Sequence, residues 1–189
     1  MATTRDTIDT WLRDAHATEA QAATMLRGTA GRNADYPAFS GSLSAQADRC
    51  DGNARAVDAC LILRGSSPSL VKDAAGQVTA FGQRLSGTVL RDEVVKAALA
   101  TTTFARMQAA AARMLVAAAT QEGDEQTAAS CRNMLETHES FAADLDAMLP
   151  TLTAEFLTRE TRDPANSGTI DSDLSGRQDF TPGGSVTLS

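Results

Sequence analysis

Aromatic side chains are scarce in this chain: they make up 4% of its 189 residues, with one Trp and one Tyr. A core built on stacked rings is excluded, so the interior must be filled by small aliphatic groups. Alternating runs of β-branched and aromatic residues are also missing, which excludes a strand-rich fold. No apolar run approaches the ~20 residues that a membrane-spanning helix needs. The opening Met1-Ala2-Thr3-Thr4-Arg5-Asp6 lacks the apolar core of a secretion signal, so a cytoplasmic location is expected. Basic residues are outnumbered, leaving a formal charge of −7. An acidic chain with scattered arginines does not attract a phosphate backbone, and neither nucleic acid nor a membrane is expected as a partner. Nucleophile elbows, phosphate-cradling glycine loops, CxxC pairs and HExxH helices do not occur, which removes the commonest catalytic signatures.

Cysteine is sparse and odd in number, at three. Cys50 and Cys60 fall on one expected helix, about 15 Å apart by helical rise and too far to bridge. Reduced thiols are the simplest reading. Cys60 and Cys131 are read as small core residues, and the methionines Met25, Met107, Met114, Met134 and Met148 as fillers of gaps between alanines.

What the chain does contain is alanine at helical spacing. Four stripes stand out: Ile8-Leu12-Ala15-Glu19-Ala22-Leu26; Leu43-Ala47-Cys50-Ala54-Val57-Leu61; Val94-Ala98-Thr101-Ala105-Gln108-Ala112-Leu115-Ala119; and Cys131-Leu135-His138-Ala142-Leu145-Leu149. Steps of three and four keep each stripe on one helix face. The pattern predicts an all-α, antiparallel four-helix bundle. Near the middle of each stripe stands a polar residue, and these are Glu19, Cys50, Gln108 and His138. Polar groups at mid-depth are how bundles build metal and cofactor sites.

The predicted helices run from about Thr7 to Gly28, Tyr36-Pro37 to Arg64, Arg91 to Gln121 and Glu125 to Leu149. Gly65-Ser66-Ser67-Pro68 stops the second. A long connection over residues 69–90 is expected to carry a short helix across the bundle. Pro150 is expected to break the fourth helix or to begin a further short C-terminal helix bearing Leu152, Phe156 and Leu157. The bundle domain is placed at residues 1–160. Residues 161–189, rich in Ser, Gly and Asp, are read as a flexible tail, with Phe180-Thr181-Pro182-Gly183-Gly184 as a docking segment for a protein partner.

Two readings of the mid-depth residues stand side by side. Glu19, Cys50 and His138 are all acceptable zinc ligands and could form an open three-ligand site. Alternatively they form a buried polar network, with His138 bonded to Glu19 and with Gln108 and Asn53 satisfying the remainder. A di-iron or di-manganese centre asks for about four carboxylates and two histidines, and the stripes supply one of each. His16 is read as a boundary residue, Trp11 as an anchor of the first helix, and Asp48 and Asp51 as a solvated face.

Several segments together carry a family likeness. They include Trp11-Leu12-Arg13-Asp14-Ala15-His16-Ala17 followed by Glu19, then Tyr36-Pro37, Ser67-Pro68-Ser69 and Lys72-Asp73. Further along are Asp92-Glu93-Val94-Val95-Lys96, Ala117-Ala118-Ala119 with Gly123-Asp124, and Leu149-Pro150 with Phe156-Leu157. In this order and spacing the chain resembles the YciF-like, stress-associated branch of the ferritin-like superfamily. The resemblance implies a bundle with a long crossover between its second and third helices, a di-metal centre ligated from all four helices, and a homodimer. Where relatives carry Glu-Glu-Thr-x-Gly-Gln, this chain reads Asp48-Arg49-Cys50-Asp51-Gly52-Asn53, and Gln108 and Thr137-His138-Glu139 stand where glutamates are expected. The expectation is a non-catalytic bundle with a degenerate metal site and no cofactor, acting by assembly or partner binding. The alternative is a metal-binding oxidase or peroxide-handling protein using Glu19, Cys50 and His138 with zinc, iron or manganese.

Overall fold

In the computed structural model, residues 3–66 and 93–162 are described. They form four helices: α1 (Thr4–Arg32), α2 (Pro37–Leu63), α3 (Glu93–Glu122) and α4 (Glu125–Arg162). Among the described residues there is no strand, as the composition requires.

Helix α1 begins earlier than Thr7. Thr3 and Asp6 form a capping box: the Thr3 hydroxyl accepts from the Asp6 amide at 3.1 Å, and Asp6 accepts from the Thr3 amide at 2.9 Å. Two otherwise unpaired donors are thereby satisfied. The helix also runs past Gly28, because Thr29 and Ala30 are buried and hold the last turn against the bundle. Pro37 occupies the first turn of α2, where its missing N–H costs nothing. Gly65 (φ 73°) and Gly123 (φ 80°) end α2 and α3 in the left-handed region, which glycine enters without a Cβ clash.

Helix α4 departs furthest from expectation. It continues through Pro150 to Arg162 as one element, so the segment after Pro150 is helical but not a separate short helix. An internal proline costs about 3 kcal/mol. Against this, Leu152 is buried and Phe156 packs on the core. Arg159 lies 4.4 Å over the Tyr36 ring and donates to the Asp35 carbonyl at 2.7 Å, fastening the extension to the α1–α2 turn. The expected tail begins inside this helix, at Thr161 and Arg162; the rest of it, and the short crossover helix, lie outside the described residues.

The broad interfaces are α1 with α2 and α3 with α4, and α1–α3 and α2–α4 are narrower. Arg64, capping the end of α2, meets Asp9 of α1 together with Glu122 and Asp124 at the end of α3. Val94, at the start of α3, packs in one cluster with Leu26 and Phe39 at the other pole. The second helix thus ends where the third does, and the connection between them joins opposite poles of the bundle, as a long crossover requires.

The core is divided in two. One apolar cluster contains Leu26, Phe39, Leu43, Phe141 and Leu145; the other contains Ile8, Leu12, Leu61, Leu115 and Met134. Glu19, Gln108 and His138 lie between them in sequence on every helix that carries them, and together they form a polar layer across the waist.

Candidate functional site: the polar layer

Glu19 is at the centre of the layer and only 2% exposed. Three side-chain N–H groups from the three other helices converge on its carboxylate. His138 Nε2 is 2.7 Å from Oε1, Gln108 Nε2 donates to Oε1 at 3.0 Å, and Asn53 Nδ2 donates to Oε2 at 3.2 Å.

The far side of His138 is occupied too. Its Nδ1 lies 3.4 Å from Gln46 Nε2. Arg49 donates to Gln46 Oε1 at 3.4 Å. The imidazole is thus held between Glu19 on one side and Gln46 on the other.

Cys50 belongs to the same layer. Burial pushes its thiol well above the ordinary thiol range, and the neighbouring Glu19 carboxylate pushes it further; a hydrogen bond from Gln108 acts the other way. Gln46 also approaches Cys50 Sγ, at 3.9 Å. Cys50 is a protonated thiol at neutral pH, whereas metal ligation uses the thiolate. Among the described residues, no group of three or more His, Cys, Asp or Glu side chains lies in an arrangement that would hold a metal ion.

Glu19, Cys50, Gln108 and His138 are therefore brought together as the stripes predict, with Asn53 bonded to Glu19 as the polar-network reading has it, and the Glu19–His138 bond is present. Gln46 was missed by the sequence reading. It is fully buried and lies three residues after Leu43 and four before Cys50, so the same periodicity places it on the core face.

A second polar cluster was not anticipated. The buried Arg64 guanidinium contacts Asp9 at 2.5 Å, Glu122 at 2.7 Å and Asp124 at 2.6 Å. Burial disfavours its charge, but these three carboxylates outweigh that and hold it firmly protonated. Asp124 also caps α4, accepting from the Thr127 amide at 3.0 Å and its hydroxyl at 2.7 Å. Burial works against the charged form of Asp124, but the Thr127 bonds and Arg64 prevail and depress its pKa.

Elsewhere, His16 is a boundary residue 3.2 Å from Asp58. Asp48 and Asp51 are more than a solvated face, since both grip Arg27 of α1 at 2.7 Å. Met134 is buried, and Met25 and Met148 pack on the core. Met107 and Met114 are not core fillers: they are 43% and 44% exposed and rim a cavity between α1 and α3 that Trp11 also lines. Trp11 packs against the cluster of Ile8, Leu12, Leu61, Leu115 and Met134, as an anchor should. No helix among the described residues is long and apolar enough to cross a membrane.

A family model described as "Domain of unknown function (DUF892)" matches residues 3–158. The chain belongs to the DUF892 family. A crystal structure of a protein from Xanthomonas campestris pv. campestris is similar to it with a TM-score of 0.71 and 25% identity, covering 85% of this chain and 99% of that one. In this DUF892 protein the polar layer and the Arg64 cluster both carry charged side chains into the bundle.

Proposed function

We propose that this chain is a ferritin-like, stress-associated protein of the YciF-like branch whose di-metal centre has been replaced by a hydrogen-bonded network, and that it acts in the cytoplasm by assembly, as a homodimer or on a protein partner, rather than by catalysis. One observation carries the reading: both Glu19 oxygens are engaged by side-chain N–H groups. A ferritin-like centre would need about four inward carboxylates and two histidines. The layer supplies one carboxylate, one imidazole, a protonated thiol and three amides, a donor set that does not fit two divalent ions. Ile62 and Leu63, adjacent at the end of α2, are exposed and would supply apolar surface for a second copy or a partner.

Elemental analysis of untagged protein, purified without chelator and then offered iron, manganese and zinc, tests this reading, with sedimentation giving the assembly state. Metal well below one equivalent per chain, in a dimer, is the expected result. Two irons per chain, or oxygen or peroxide consumption that requires added metal, would overturn it. The alternative, a single zinc on Glu19, Cys50 and His138, would require close to one zinc per chain, lost in Cys50→Ser or His138→Ala; the lack of a metal-holding group of three such side chains among the described residues speaks against it.

A further inference from the structure

The cavity between α1 and α3 has a volume of about 170 Å³. An apolar protein cavity of about 150 Å³ takes up a molecule of the size of benzene. Trp11, Met107, Met114, Leu115 and Met134 form its walls. The half-exposed Met107 and Met114 mark its mouth, and the deeply buried Glu19 and Gln108 its inner end. Asp14, exposed, is also part of the rim.

The chemistry of this lining is one-sided. It includes two carboxylates, and among the described residues that line it there is no Lys, Arg or His. The lining thus presents carboxylates, the exposed one of Asp14 at the rim and that of Glu19 at the inner end, with no cationic side chain among them. An indole face and methionine sulfurs add polarisable surface that favours a cation over an anion.

We propose that this cavity binds a small organic ammonium ion whose apolar body is about the size of one aromatic ring. The body lies among Trp11 and the methionines, and the carboxylates of Glu19 and Asp14 favour the positive charge. The proposal rests on the reading of the polar layer as held by protein donors and not by a metal ion.

Trp11 is the only tryptophan of the chain, so its emission reports on the cavity directly. Benzylammonium, benzyl alcohol and benzoate are titrated into the full chain in the presence of a chelator, with calorimetry alongside. Benzylammonium is expected to change Trp11 emission saturably and to bind about tenfold more tightly than benzyl alcohol, with benzoate weakest. Ala111→Phe, on the exposed side of the lining, should abolish binding. Asp14→Asn, also exposed, should weaken benzylammonium and leave benzyl alcohol unchanged. Equal affinity for the amine and the alcohol, no saturable signal by either method, or undiminished binding in Ala111→Phe would overturn the proposal. Metal content of the same sample keeps the two ideas separate. A metal retained through the chelator would overturn the reading of the polar layer, whereas metal-free protein that ignores benzylammonium would overturn the ligand proposal alone.

Discussion

His138 Nε2 and Glu19 Oε1 meet at 2.7 Å across the bundle, joining the fourth helix to the first through a bond with almost no access to water. Hydrogen bonds to a buried charge are stronger than neutral ones, and leaving their donors unpaired is costly. Glu19→Ala strands His138, Gln108 and Asn53 together. It is expected to lower stability by about 3 kcal/mol, read from the shift in urea midpoint. A double-mutant cycle with His138→Ala should show non-additivity, since both changes break the same bond; strictly additive losses would contradict the geometry.

Arg64 offers a comparable test at the pole of the bundle. Replacing it with Met leaves Asp9, Glu122 and Asp124 without their shared cation. A loss of about 3–5 kcal/mol is expected. Arg64→Lys should recover only part of it, because one ammonium cannot present the planar fork that serves three carboxylates. Thermal unfolding of the two variants side by side checks the order.

Acid should weaken the same cluster. The pKa of Asp124 is lower in the folded chain than its ordinary value, so the unfolded chain takes up that proton more readily. The stability it contributes is present above about pH 4 and is lost as pH falls below that through the folded value. Asn is also a good helix cap, so Asp124→Asn retains the start of α4 and removes the titration. Urea midpoints from about pH 6 down to about pH 2 should fall less steeply for this variant than for the parent. An unchanged slope would mean that other carboxylates carry the acid sensitivity.

All three cysteines are buried and reduced. Burial, with Cys60 close by, pushes the Cys131 thiol up to about 12, and Cys50 is displaced in the same direction. Thiolate is the reactive form. An aromatic disulfide reagent at mildly alkaline pH should therefore leave the native protein nearly untouched and titrate every thiol once urea is added. Rapid reaction of the native protein would show that the interior opens easily.

The bundle and its polar layer were legible for one reason: the stripes repeat every three or four residues, and a side chain's depth follows from its place on the stripe. Glu19, Cys50, Gln108 and His138 could be placed together without knowing any long-range contact. Gln46 was equally accessible to that logic and was passed over. The Arg64 cluster was not accessible, because its partners come from the ends of α1 and α3 and only the assembled topology brings them together. Helix α4 outran its predicted end for a related reason. Pro150 signals a local break, and the packing of Leu152 and Arg159 that overrides it belongs to the tertiary structure. Met107 and Met114 were misjudged because helical spacing alone does not say how closely two neighbouring helices approach.

The two polar clusters lie at different heights along the bundle, one at the waist and one at the pole, and both tie the α1–α2 hairpin to the α3–α4 hairpin. A slip of one hairpin along the other by a helical turn is a movement of about 5.4 Å. Such a slip would separate Glu19 from His138 and Gln108, and in the same movement separate Arg64 from Glu122 and Asp124. Two fixed points at different heights thus help fix the axial register of the hairpins, alongside the shape of the packed Leu and Phe side chains.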